Sequence, residues 1–124
     1  MYGVNSENGY TEIGDGIRIK TLCHDDSMLM SELWLQEDSV IPEHTHPDVQ
    51  TGYLIKGKIR LTINEDVRTF VPGDSWCIQA DLKHRTDALE DSVILEVFSP
   101  QRKDYMKYVN DLNLQPVSSI NDHQ

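Results

Sequence analysis

Short apolar alternations separated by turn residues run from residue 10 to residue 108, the pattern of an all-β barrel or sandwich. In "IRIKTL", Ile17, Ile19 and Thr21 alternate with Arg18 and Lys20, and Gly14, Asp15 and Gly16 turn the chain into that strand. "MLMSELWLQ" predicts a second strand, ended by the polar turn Glu37, Asp38, Ser39. In "GYLIKGKIRLTI", Ile59, Leu61 and Ile63 lie on one side and Lys58, Arg60 and Thr62 on the other, with period 2. Asn64, Glu65 and Asp66 turn the chain into "VRTFV". Pro72, Gly73 and Asp74 then form a strong turn, because proline presets φ and glycine allows positive φ. "SWCIQA" and "SVILEVF" predict further strands. From Arg102 to Leu114, Tyr105, Tyr108, Val109 and Leu112 recur at helical spacing and predict a short helix. Residues 1–114 are therefore read as a single β-barrel domain, and 115–124, with a solvated His123, as a loose tail.

Composition narrows the partners. A chain of 124 residues suits one core rather than two. No apolar run approaches the roughly 20 residues that cross a bilayer. The opening "MYGVNSENGY" has neither the basic head nor the apolar core of a secretory signal, so the expected location is the cytoplasm. Cys23 and Cys77 are far apart and fit neither a disulfide scaffold nor a zinc ribbon; both are expected reduced, with Cys77 facing a core. The formal charge of −10, from 21 acidic and 11 basic residues without a basic run, repels phosphate backbones and anionic lipid. Nucleic acid and membrane are thus excluded as expected partners. A small anionic substrate is not, provided that a local metal or arginine overcomes the global field.

The candidate chemistry begins at "PEHTHPDVQTGYLIKGK", where His44 and His46 stand one residue apart. On a strand both imidazoles would point to one side, with Gln50 at the same parity. His84 comes after a later hairpin, in position to close the set from a neighbouring strand. Three imidazoles and one amide oxygen suit a divalent first-row metal and leave room for water or substrate. The pair alone reads more simply as an exposed polar strand end. His24, beside Asp25 and Asp26, reads as structural or exposed. A second feature is "SVILEVF", where Ile94, Glu96 and Phe98 share one face. A carboxylate among such neighbours needs a partner, here Arg102 or Arg60, or a chemical task.

In order and spacing, His44, His46, Gln50, Tyr53 and Gly57, followed by Pro72-Gly73-Asp74 and His84, resemble the two motifs of the cupin superfamily. The resemblance covers residues 28–100 and implies a double-stranded β-helix, a jelly-roll barrel, with which the all-β strand pattern agrees. It implies His44, His46, Gln50 and His84 as ligands of one divalent transition metal; Ni, Zn, Mn, Fe and Cu all fit. Gln79 and Asp81 stand where cupins usually have Pro and Gly, which blurs the turn before His84. Gln50 stands where most metal cupins carry Glu. A neutral ligand leaves more of the ion's charge for anionic oxygens, and suits a high iron oxidation state less well.

Glu96, Phe98 and Arg102 are similar in spacing to the Asp, Phe and Arg of the pectin-degradation cupins known as KdgF, the acid here being one methylene longer. That resemblance implies conversion of 4,5-unsaturated uronate monosaccharides, small anionic sugar acids, to linear 4-deoxy-5-keto uronates. Glu96 would then be the acid/base, Arg102 the carboxylate holder and Phe98 an apolar wall. The rival readings are an oxygenase or other Lewis-acid cupin with an unrelated substrate, and a non-catalytic barrel that binds a sugar or other small effector. The family also implies a homodimer, for which Tyr53 and Ile55 would supply outward contacts unless they are core residues.

Overall fold

The period-2 runs fold as antiparallel strands whose apolar positions face one shared interior. The computed structural model describes residues 1–109 and 114–115. Among these the strands are β1 (Tyr2–Gly3), β2 (Thr11–Gly14), β3 (Ile17–His24), β4 (Leu29–Leu35), β5 (Val40–His44), β6 (Val49–Lys56), β7 (Ile59–Ile63), β8 (Asp66–Phe70), β9 (Ser75–Ile78), β10 (His84–Ala88), β11 (Ser92–Ser99) and β12 (Leu114–Gln115). A six-stranded sheet, β2-β3-β4-β11-β6-β9, stands opposite a four-stranded one, β5-β10-β7-β8. This is the jelly roll that the cupin resemblance implies, and the all-β architecture that the alternation predicts.

The core lies between the sheets. Ile17, Ile19, Leu29, Leu33, Leu54, Ile94 and Phe98 come from the larger sheet and Ile59 and Ala88 from the smaller. Strand parity decides which residues enter it: on β11, Ile94, Glu96 and Phe98 are buried while Val93, Leu95 and Val97 are only half-buried. On β6 the same rule sends Gln50 and Leu54 inward and leaves Tyr53 and Ile55 each 46% exposed. It also corrects the expectation for Cys77, which is exposed because Ile78 beside it takes the inward position on β9. Both cysteines are free.

Gly57 turns β6 into β7 at φ +95°, and any Cβ there would run into Asp91 and Ser92. Arg102–Leu114 does not form the expected helix throughout. A 3-10 helix spans Lys103–Tyr108, after which Val109 is extended. Its threefold repeat stacks Tyr105 and Tyr108, ring centroids 5.6 Å apart, with Tyr105 buried against Phe98. Leu112 lies outside the described residues, whereas Leu114 and Gln115 pair with Gly3 and Tyr2 in β12. The tail beyond Gln115, including His123, also lies outside the described residues.

Candidate metal centre and acidic pocket

The three histidines converge, but not by the strand parity expected of them. His44 ends β5, whereas His46 lies in the loop that carries the chain from the smaller sheet to β6 of the larger. Pro47 lies in the same loop, and Gln50 returns inward on β6. Two sheets and one corner therefore supply the cluster. His84 opens β10 directly opposite His44 in register, with ring centroids 4.2 Å apart. One ring nitrogen from each of His44, His46 and His84 lies within 4.8 Å of the others.

The turn before His84 forms despite its unusual residues. Asp81 adopts φ +65°, a conformation that Asp tolerates better than most non-glycine residues. Its backbone N–H donates to the carbonyl of His46 at 2.9 Å, tying the second motif to the first.

Hydrogen bonding fixes which face each imidazole presents. Nδ1 of His44 bonds to the carbonyl of Pro42 at 2.8 Å, Nδ1 of His46 to Asp48 at 3.0 Å, and Nδ1 of His84 to Leu82 at 2.9 Å. A carbonyl only accepts, so each Nδ1 carries a proton and each ring turns its Nε2 elsewhere. Burial holds His46 below the ordinary histidine value and takes His84 down to about 4, so both favour the neutral form. Nε2 of His84 is buried without a hydrogen-bond partner. Nε2 of His46 faces Oε1 of Gln50 at 3.0 Å, acceptor against acceptor. That is an arrangement a shared cation stabilises, and Nδ1 bonding to backbone carbonyls is how metal-ligating histidines are commonly oriented. The donor set fits a divalent transition metal.

Glu96 projects from β11 toward the same interior. It is 8% exposed and accepts a hydrogen bond from Nε2 of Gln50. Burial raises its carboxyl to about 7 against the opposing pull of Arg102. It forms no ion pair with Arg102 or Arg60 among the described residues. Arg102 is itself 7% exposed and lies over the Tyr105 ring, 3.8 Å from its centroid, with Phe98 at 5.2 Å. Asp104 takes its Nε and Nη2 at 2.8 and 3.1 Å. Burial weakens the charged form of Arg102, but Tyr105, Asp104 and Glu96 outweigh it and raise its pKa. The ring of Phe98 meets that of His46 edge-on, centroids 5.4 Å apart, and joins the two halves.

Sequence reasoning missed Tyr105 and Asp104 as parts of this pocket. Their signal, an acid and an aromatic directly after an arginine, was present but was absorbed into the predicted helix. His24, half-buried at the end of β3, pairs with Gln101 at 3.2 Å and so helps to anchor the segment that carries Arg102. A separate outer cavity of about 400 Å³, lined by Arg18, Trp34, Lys56 and Asp91 among others, contains none of these site residues.

Known proteins resemble this chain to different depths. The chain is 28% identical over 108 residues to the pectin degradation protein KdgF of Dickeya dadantii, covering 85% of this chain and 97% of that one. It superimposes on the structure of KdgF from a Halomonas species with a TM-score of 0.80 and 26% identity, over 84% of this chain and 96% of the other. An RmlC-like cupin from Shewanella frigidimarina also gives a TM-score of 0.80, at 18% identity over 84% and 94% of the two chains, and so shares the fold. The family model for the cupin domain, Cupin_2, matches residues 33–99, and with that match this chain belongs to the cupin family.

Proposed function

We propose that this cupin is a cytoplasmic, metal-dependent enzyme that opens 4,5-unsaturated uronate monosaccharides to linear 4-deoxy-5-keto uronates, a step in pectin or alginate breakdown. The observation that carries the reading is one contiguous cluster of three convergent imidazoles, an amide oxygen, a buried carboxyl and a buried arginine. Similarity to two pectin-degradation cupins supports it.

His44, His46, Gln50 and His84 would hold the divalent ion, whose Lewis acidity would favour negative charge on a nearby substrate oxygen. Arg102 binds the substrate carboxylate through charge-assisted hydrogen bonds. Its Nη1 makes no hydrogen bond among the described residues, and Asp104 on its other edge is displaceable. Phe98 walls the pocket on its apolar side and keeps water from Glu96.

In the reaction the anomeric hydroxyl loses its proton, C1=O forms and the bond from C1 to the ring oxygen breaks. The ring oxygen becomes the enolate oxygen at C5, and protonation at C4 leaves the ketone, so the change is an isomerisation without net proton loss. Glu96 takes the first proton and returns the second. A carboxyl near 7 is poised to do both at neutral pH. Two copies of the chain pair through the outer face of the larger sheet, where Trp34, Tyr53 and Ile55 are exposed.

The test supplies metal-loaded protein with unsaturated uronate and follows loss of the conjugated absorbance against the spontaneous rate. Acceleration of at least about 100-fold, the lower range of acid/base assistance alone, is expected. No acceleration overturns the proposal.

A further inference from the structure

Gln50 joins the two halves of the pocket by hydrogen-bonding groups, where Phe98 joins them by ring contact. Its Oε1 faces Nε2 of His46 at 3.0 Å, and its Nε2 donates to Oε2 of Glu96. A side-chain amide can do both because it is an acceptor at one end and a donor at the other. A carboxylate at position 50 would oppose an ionised Glu96 acceptor to acceptor. Left alone, an amide can rotate by half a turn and exchange its two ends. Here rotation would aim N–H groups at the imidazole cluster and leave two oxygens in contact.

We infer that Glu96 is a positioning residue for Gln50: by accepting from Nε2 it locks the amide oxygen toward the three imidazoles and thereby raises the pocket's affinity for a divalent cation. This rests on the metal-site reading above and not on the uronate reaction. Glu96 can accept whether or not it carries a proton, so the locking needs no particular charge state. Gln50 and Glu96 are 46 positions apart in sequence, and adjacent strands bring them together, with Gln50 opposite Phe98 and Gly52 opposite Glu96. Removing the hydrogen-bonding partner of a metal ligand typically costs about 10–100-fold in affinity.

The experiment measures Zn²⁺ and Ni²⁺ affinity by competition with a chromophoric chelator. Glu96→Leu removes the acceptor and is expected to weaken binding by about 10–100-fold. Glu96→Gln, which keeps an acceptor oxygen, is expected to stay within about threefold of wild type even where it abolishes turnover. In a Gln50→Ala background Glu96→Leu should cost no further affinity, because the residue acts through Gln50. Wild-type affinity in Glu96→Leu, or the same loss with and without Gln50, overturns the inference while the metal reading stands. A wild-type protein that binds neither ion overturns both. Should the leucine variant not fold, the side-chain N–H resonances of Gln50 in the wild-type protein decide the matter. A shift well downfield of the other glutamines supports the bond to Glu96, and an ordinary shift overturns it.

Discussion

The two halves of the pocket are built by different means. Each histidine is anchored to a carbonyl two residues away, His44 to Pro42, His46 to Asp48 and His84 to Leu82. Short-range geometry therefore sets the direction of every Nε2. Glu96 has no such tether, and the one that Arg102 has, to Asp104, lies on its exposed side. Glu96 meets Gln50 from a neighbouring strand, and Arg102 is held over Tyr105 by the packing of the 3-10 helix against β11 and β3. The cluster half is preorganised locally, and the acidic half depends on the finished fold. Preorganised donors suit a metal, whose site must exclude wrong geometries, whereas a half held by packing can adjust to a substrate.

Removing an imidazole tests the local half most severely. His84→Ala deletes a buried nitrogen that has no hydrogen-bond partner and faces the other two rings. Zn²⁺ affinity is expected to fall by more than about 100-fold, beyond the usual effect of losing only a ligand's hydrogen-bond partner. Chelator competition measures it, and an affinity within tenfold of wild type would remove His84 from the ligand set.

The pH dependence of stability separates the halves next, because they respond with opposite signs. Glu96 stands near 7 in the folded metal-free protein against an ordinary value of 4.5, so the folded state keeps a proton that the unfolded chain releases. Its contribution is full below about 4.5 and is lost as pH rises through 7, a change of about 3 kcal/mol. His84 stands near 4 against 6.5, so the unfolded chain takes a proton that the folded state refuses. Its contribution is present above 6.5 and lost as pH falls through 4. Between 4.5 and 6.5 the two slopes oppose one another. Burial depresses His46 in the same direction as His84, so metal-free wild type is expected to melt only slightly higher as pH rises across that window, whereas Glu96→Gln, having lost the falling slope, rises much more steeply. Parallel melting curves for the two proteins would show that Glu96 does not titrate there.

The same division explains what could be read from the chain. Strands that bury one face, such as β3, β4, β7 and β11, declare themselves by alternation. β5 and β10, "VIPEH" and "HRTDA", do not, because they spend positions on site residues and polar groups rather than on a regular apolar face. His44 and His46 were legible as a pair since their spacing is local, whereas distant His84 joined them through its place in the second cupin motif. That His46 leaves the strand for a corner was not legible, because the choice depends on where the two sheets meet. Gln50 was legible as an unusual neutral ligand, while the reason for an amide appeared only once Glu96 was seen beside it. Asp104 and Tyr105 were hidden for a related reason. A 3-10 turn eclipses residues three apart, so Tyr105 and Tyr108 mimic a helical stripe while they buttress the arginine side of the pocket.

The smallest expected effect lies at the pocket's outer edge. Asp104 pairs with Arg102, yet its side chain is 59% exposed where that of Arg102 is 8% exposed. A pair open to water on one side contributes at most about 1 kcal/mol, so losing the charge of Asp104 should scarcely move the arginine. Tyr105 and Phe98 continue to hold the guanidinium from its faces. What changes is the competition. Asp104 occupies Nε and Nη2, the edge that a substrate carboxylate would use for two-point binding, and it repels that carboxylate. Asp104→Asn keeps an oxygen for Arg102 and removes the repulsion. KM for the uronate is expected to fall by about twofold to threefold with kcat unchanged, and the gain should shrink at high salt. A tenfold loss of kcat would instead place Asp104 among the groups that fix Arg102 in its working position, making the acidic half as dependent on short-range tethers as the histidine half.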